Sequence, residues 1–503
     1  MAVFMARRLV ISIFTLLAAS FIVFWGTSIA GDPMADLRGL QDEGQAQQQM
    51  MARRERMNLD VPVILRYFLW LGDLFTGDLG VNKFGQSVSG ILAPAVSATL
   101  QLVIAATVLA IVLGVTIGIV SALRQYSGFD YTLTFAAFLF FSLPVFWVAV
   151  MLKQFGAIKF NDWLRDPTIP LPVILVFAVL SGLAWMAIAG GSRQRRLTAL
   201  GVAFVATAGL LWTLSETGWF SDPGLGVIAV LVLAFGSAAG VTFLIAGFRH
   251  RPPLFAALAT AAVGFVFYLA SEPILEEPNW GLIFLLALVA IAVGLGIGYL
   301  LGGLQRRQAM AVGAVTAILV GGIIFVDYML QSYGDYYGRV RGRPISTIGA
   351  STPNFRGGFW ESGLDSAGHL ILPTMALLLI SFATYTRYTR ASMLEVMNQD
   401  YVRTARSKGL TERTTVTKHA FRNALIPVTT LMAFDFGAVI GGAVITERVF
   451  GWQGMGFMFI KGLQDVDPPP VMAFFLIAGG SIVVFNMLAD IAYAYLDPRI
   501  RVS

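Results

Sequence analysis

Few residues of this chain have the type and spacing to do chemistry, and the richest group is the stretch QDYVRTARSKGLTERTTVTKHAFRNALIP, residues 399–427. It is polar and basic and sits between two apolar runs. Tyr401 and Val402 offer apolar anchors, and Arg403, Arg406 and Lys408 supply positive charge. Ala405 and Gly409 stand four apart, a spacing that puts two small residues on one helical face and permits close backbone approach. That combination suits a short helix seated in a groove of another protein. A solvated basic loop, held only by the tendency of Lys and Arg to stay on one side of a membrane, is the plainer alternative.

The acids stand more singly. Asp435 lies midway along LMAFDFGAVIGGAVI (431–445), where an ionised carboxylate is costly unless paired or wet. It is expected either to meet a cationic group in a polar path or to be protonated or paired to a neighbouring helix. Gly437, Gly441 and Gly442 on the same run favour close helix packing. Pro144 and Asp490 read as a kink and an anchor. No Gly-x-x-x-x-Gly-Lys-Ser/Thr loop, His-Glu-x-x-His or Gly-x-Ser-x-Gly occurs, so P-loop ATP binding and the common hydrolase chemistries have no support. The chain has no cysteine, and its three histidines, His250, His369 and His419, are scattered, so no metal site is expected. Asp435 alone is too little for an intramembrane enzyme.

The elements that must position these groups are membrane helices. Of 503 residues, 57% are hydrophobic and only 13% charged, with 52 glycines and a mean hydropathy of +0.74, which describes an all-α polytopic membrane protein. Twelve apolar runs are long enough to cross a bilayer, near 9–30, 96–122, 131–152, 170–190, 197–215, 225–247, 254–271, 281–303, 309–327, 370–389, 424–445 and 471–493. Arg7 and Arg8 before the first run, with Ser28–Ala30 after it, have the layout of a cleavable signal. The run is longer than a usual signal core, so a retained helix is expected. Short loops rich in Lys and Arg, such as SRQRR (192–196) and QRRQ (305–308), fall on one side, and Glu216, Asp222, Glu272, Glu276 and Glu277 on the other. Both termini are therefore expected in the cytoplasm. The net charge of +6 reflects this topology, and no nucleic-acid partner follows from it.

Residues 170–328 repeat a basic turn, an apolar helix and an acidic end with a period of about 56 residues, marked by Arg193, Arg249 and Arg306. Three tandem helical hairpins are expected there. An even number of helices preserves the topology of whatever flanks them. The long loop at 31–95 holds QAQQQMMARRERM and VPVILRYFLWLGDLF, the second amphipathic enough to lie on a membrane or pack on the outer face.

The stretch at 399–427 resembles the cytoplasmic signature loop of binding-protein-dependent ABC importer permeases, with Gly409 followed by nine residues before His419. RYTRASMLEVMNQDYVRTARSKGL (387–410), HAFRNALIPV (419–428), GGAVITERVFGWQGMG (441–456) and the terminal DPRIR (497–501) are similar to the dipeptide and oligopeptide subfamily. So are GDP (31–33), GDLG (77–80), SLPVFW (142–147) and HLILPT (369–374). The loop departs from the general importer form at Arg403, Thr404, Phe421 and Arg422, in ways that fit the peptide subfamily. The resemblance covers about 1–165 and 366–503, and implies a type I ABC importer transmembrane domain: six family helices plus six inserted. The expected division is an N-terminal permease part (1–165), an inserted three-hairpin region with an outer loop (166–365) and a C-terminal permease part (366–503) with an ATPase-coupling loop at 390–424.

Further expectations follow from the resemblance. The chain would be a multi-pass permease subunit in a bacterial inner membrane, moving di- or oligopeptides by alternating access. Nickel, opines or oligosaccharides are alternative cargoes, and a membrane scaffold or pore with an accessory insert is an alternative of another class. Its partners would be a second, homologous permease forming a heterodimer, two cytoplasmic ATPase subunits and an extracytoplasmic substrate-binding protein. It would not be an enzyme and would bind no cofactor, ATP and Mg residing on the ATPases. The coupling residues would be Tyr401, Val402, Arg403, Ala405, Arg406, Lys408, Gly409, His419 and Asn423. Asp435 and Glu447 are translocation-path candidates, and Trp452 and Gly454 are candidate contacts for the binding protein. For Trp452 an interfacial aromatic is the alternative.

Overall fold

The computed structural model describes residues 2–39, 41–248 and 251–496. Arg249, His250, DPRIR (497–501) and the packing of Gly437, Gly441, Gly442 and Asp490 lie outside the described residues. Those described form helices and connecting turns, with one isolated antiparallel bridge between Val81 and Ser87.

The chain opens with α1 (Ala2–Ile29), followed by α2 (Glu43–Arg56) and α3 (Val63–Phe75). α4 (Val88–Leu123) and α5 (Gly128–Ser142) come next, then α6 (Val145–Met151), which runs through a π-helical segment, Leu152–Lys159, into α7 (Phe160–Trp163). Six long helices follow in three pairs: α8 (Leu171–Ala189) with α9 (Arg193–Glu216), α10 (Gly226–Ile245) with α11 (Arg251–Ala270), and, after the short α12 (Glu272–Leu275), α13 (Trp280–Leu301) with α14 (Arg306–Gln331). α15 (Tyr333–Arg339) leads to α16 (Phe359–Met397), α17 (Asp400–Ser407) and α18 (Glu412–Thr414). A second π-helical segment, Thr415–Ala420, enters α19 (Phe421–Gly442), and α20 (Val444–Phe450), α21 (Met455–Gln464) and α22 (Pro468–Leu496) complete the chain.

Ten helices among the described residues are long and apolar enough to cross a bilayer, or eleven spans if one bent pair is a single crossing. The eleventh expected run, 424–445, falls on α19 and the start of α20, and many of the α19 side chains lie outside the described ones. The bent pair corrects the straight span expected at 131–152: α5 and Val145–Trp163 meet at 102°. Leu143 is extended, as a residue before proline tends to be, and Pro144 opens α6. Pro144 thus ends one helix and starts another; it does not kink a continuous one.

α4 and α16 form the spine. Gly114 and Gly118, one turn apart on α4, lie so close to α16 that a Cβ at Gly114 would come 2.6 Å from Tyr385 Cβ, and one at Gly118 2.8 Å from Thr389 Cβ. Small residues let two membrane helices gain van der Waals contact where no hydrophobic driving force separates helix from lipid. Along this spine Leu102, Val103 and Ala106 pack with Leu377, Ala443 and Trp452; Ala110 with Tyr385 and Val428; and Ala122 with Met393, Val416 and Ala420. Three core clusters therefore follow one another along α4 from Leu102 to Ala122. Thr99 and Ser121, near the two ends of that stretch, stand 22 residues or roughly 33 Å of helix apart.

In the paired region α10, α11 and α14 share a core of Val230, Ala234, Ala257, Ala261, Val312 and Val320, closed by Trp360 of α16. Asp327 is its polar hub: its carboxylate accepts from Leu225 N at 2.8 Å, Tyr268 Oη at 2.6 Å and Gln331 Nε2 at 2.7 Å. α9 buries no residue. α3 is two-faced, with Tyr67 and Trp70 buried against Phe24 and Met472, and Ile64, Phe68 and Phe75 exposed.

Candidate functional site

The polar loop sits at the Ser121 end of α4. α17 is strongly two-sided: Val402 and Ala405, three apart, are buried against the π-helical segment Thr415–Ala420, while Tyr401, Arg403, Thr404 and Lys408 are exposed. Val402, expected as an anchor for another molecule, is fully buried within this chain, so the apolar anchor left at the surface is Tyr401, 41% exposed. Gly409 does not share a helix face with Ala405. It follows the end of α17 with φ +74°, a left-handed conformation that costs residues with a Cβ roughly 1–2 kcal/mol, and the space around it is open.

The loop is braced by its own side chains. Arg406 grips Glu412 through Nε at 3.1 Å and Nη2 at 2.7 Å, and the guanidinium holds the Glu412 carboxyl below its ordinary value. Asn423 Nδ2 donates to Tyr401 Oη at 2.8 Å, tying α17 to α19, and contacts His419 O at 3.4 Å. Thr411 caps α18 by accepting from Thr414 N at 3.3 Å. The product is a cross-braced knob with a cationic, Tyr401-bearing face.

At the same Ser121 end of α4 lies an ion pair with no local sequence signature. Asp130, 2% exposed, receives Arg390 Nε at 2.7 Å and Nη2 at 2.9 Å, Ser121 Oγ at 2.5 Å and Tyr126 N at 3.1 Å. Both of its oxygens are satisfied by donors from α4, α16 and its own turn, the condition under which a buried pair is tolerable. It fastens α4, α5 and α16 together just where α16 delivers the chain to α17. Further along, Asp435 accepts from Tyr385 Oη at 2.9 Å, and so is paired to the neighbouring α16.

The stretch of α4 around Thr99 corrects three expectations. Glu447, expected in a path, has 0% exposure. Its Oε1 accepts from Thr99 Oγ1 at 2.6 Å, and its Oε2 from Phe457 N at 3.0 Å. Thr99 Oγ1 in turn accepts from Met455 N at 2.8 Å. Glu447 and Thr99 together cap the start of α21, whose first N–H groups have no partner within the helix. Trp452, also at 0% exposure, donates its Nε1 proton to Ala98 O at 3.0 Å. Gly454 is buried, and a Cβ there would come 2.5 Å from Thr99 Oγ1. These residues fasten α4 to α20 and α21, and Glu447 and Trp452 have no exposed surface to offer a binding protein.

The chain matches the model of the family described as binding-protein-dependent transport system inner membrane component over residues 254–502. It is 37% identical over 224 residues to a putative peptide permease protein of Brucella ovis, covering 44% of this chain and 68% of that one. The chain belongs to the binding-protein-dependent transport permeases. It is also 43% identical over 155 residues to the oligopeptide transport system permease protein of Mycobacterium tuberculosis, covering 31% of this chain and 48% of that one. With the dipeptide transport system permease protein of Alkalihalophilus pseudofirmus it is 25% identical over 503 residues, all of both chains. The chain spans about half the length of the first relatives it matches.

For a permease of this family the loop, the Asp130–Arg390 pair and the Thr99–Glu447 cap are strung along one helix, α4. Sequence reading located the loop because its composition changes locally. It missed Asp130, Arg390 and Thr99, whose partners lie 260 and 348 residues away.

Proposed function

We propose that this chain is the membrane-spanning permease subunit of an ATP-driven importer of di- and oligopeptides, working by alternating access. The observation that carries the reading is the loop at 399–423: a braced, cationic knob at the end of the longest spine helix, in a permease-family chain with no phosphate loop of its own. The knob seats in a cytoplasmic ATPase subunit, and its exposed Tyr401, Arg403 and Lys408 make the contact. Closure of two such ATPases on ATP and Mg moves α17, and α16 carries the movement to the Asp130–Arg390 fastening. The chain itself catalyses nothing and binds no cofactor. A second, homologous permease completes the path, and an extracytoplasmic binding protein delivers the peptide. Peptide is favoured over nickel, opines and oligosaccharides by the names of the relatives.

The basic short loops put both termini and the 399–423 knob in the cytoplasm of a bacterial cell, with residues 31–87 and α21 on the outer face. Residues 1–165 and 366–503 form the permease proper. Residues 166–365 form a peripheral bundle, consistent with the absence of any buried residue on α9 and with an insert core that meets α16 through Trp360.

The test is reconstitution of the chain with its ATPases, companion permease and binding protein in proteoliposomes, with ATP-dependent uptake of a labelled dipeptide as the readout. Reversing the knob's charge with Arg403→Glu and Lys408→Glu is expected to abolish both ATPase assembly and uptake. Undiminished uptake by that variant, or uptake that needs no ATPase, overturns the reading.

A further inference from the structure

Where the loop at 78–87 meets α21 and the start of α22 there is a cavity of about 400 Å³. Its polar wall holds Asn82, Gln86, Gln453, Lys461, Asp465 and Asp467, and its apolar wall Phe84, Phe457 and Met458. Asp467 is only 3% exposed. Asp467 lines the cavity; its Oδ2 accepts from Lys83 N at 2.7 Å, and its buried Oδ1 has no hydrogen-bond partner. The nearest buried cation is already committed, since Lys83 Nζ pairs with Asp465 at 2.9 Å and Asp36 at 3.8 Å. Arg53 is likewise held by Asp36, at 2.5 Å, and by Pro33 O. Lys461, by contrast, has no carboxylate within ion-pair distance among the described residues and stands 5.9 Å from the Phe84 ring centroid.

A buried carboxylate oxygen without a donor is a deficit that a native fold seldom leaves. The cavity thus offers an acceptor needing a proton donor, a cation needing an anion or carbonyl, and aromatic and thioether surface between them. The surrounding Lys83, Arg53 and Lys461 make a metal ion a poor occupant. We propose that this cavity binds a free amino acid or short peptide with an apolar side chain, its ammonium on Asp467, its carboxylate or first carbonyl on Lys461, and its side chain against Phe84, Phe457 and Met458. The ligand class rests on the peptide-import reading. The site is apart from Asp435, and on the proposed topology it lies on the outer face, where it would hold peptide before entry to the path.

Binding is measured on the full chain in lipid nanodiscs, without binding protein, by equilibrium dialysis of labelled Leu-Leu and its N-acetyl derivative. Free Leu-Leu is expected to bind about tenfold or more tightly than the N-acetyl form, because acetylation removes the ammonium. Asp467→Asn is expected to erase that preference, and Lys461→Gln, at the exposed rim, to weaken Leu-Leu while keeping it. Equal binding of the two peptides overturns the site, as does an unchanged preference in Asp467→Asn. Absence of binding by the unaltered chain overturns it too and assigns the cavity to water alone. ATP-dependent uptake in the reconstituted complex is scored separately: uptake without binding here sinks this site only, and binding without any uptake sinks the importer reading only.

Discussion

At the residue scale, two acids on the same face have been buried by different means. Glu447 is matched by donors on both oxygens, so its burial holds the start of α21. Thr99→Val removes a donor to Glu447 and an acceptor for Met455 N at once, and is expected to destabilise the chain by about 2 kcal/mol. Thr99→Ser should restore most of that, and the thermal midpoint of the detergent-solubilised chain measures both. Asp467 is matched on one oxygen only, and burial pushes its carboxyl up to about 6, with Asp465 adding to the rise and Lys83 and Arg53 opposing it. The folded state therefore holds the proton more tightly than the unfolded state, whose value is the ordinary 3.8. Stability contributed by this group is complete below pH 3.8 and is lost as pH rises to about 6, by ~3 kcal/mol. Hydrogen exchange of α21 amides should quicken over that window, beyond the intrinsic pH effect, and Asp467→Asn should flatten the change.

At the scale of elements, the loop works because α17 is stopped, turned and braced within a few residues. Gly409→Val meets no neighbouring atom, so its effect should come through backbone strain of roughly 1–2 kcal/mol, loosening the turn between α17 and α18. ATPase assembly is expected to weaken while the chain still folds; assembly at the unaltered affinity would remove Gly409 from the coupling argument. The spine responds differently. Asp130→Asn leaves the Arg390 guanidinium, with its side chain 27% exposed, facing a neutral partner, and should loosen α5 from α16 without touching the knob surface. The expected signature is normal ATPase binding with fewer peptides moved per ATP hydrolysed.

At the scale of the molecule, the spine core of α4, α16 and α19 contains no residue from 171–331 among the described residues. The six-helix region has its own core and its own polar hub at Asp327, and joins the rest chiefly through Trp360 and the contact of α5 with α8. Deleting 170–328 removes an even number of crossings, so the flanking topology is kept, and coupled uptake is expected to survive. Complete loss of uptake by a stably inserted deletion would show that the bundle takes part in transport. Trp360→Ala accompanies it as the milder probe, since it empties the seam and one wall of the insert core while leaving every crossing in place.

The crossings and the polar loop were legible in the sequence because each is a local property. A run of about 20 apolar residues must satisfy its backbone as a helix, and a basic interruption between two such runs must leave the lipid. Membership of the permease family was legible for the same reason, in contiguous motifs. The break at Pro144 was only half legible: proline signals a disturbed helix, but whether the chain kinks or turns through 102° depends on what α16 and α8 leave room for. Glu447, Trp452 and Gly454 were misplaced because an acid, an aromatic and a glycine beside an expected mouth look available until α4 closes over them. Asp130 was unreadable because its guanidinium partner lies 260 residues on. Sequence alone determined that this chain crosses a membrane many times and which polar stretch must leave the lipid between two spans. Tertiary packing alone decided which polar groups are fastened, which face of α17 is offered, and where a buried carboxylate still lacks a partner, because burial is a property of neighbours brought together by the fold.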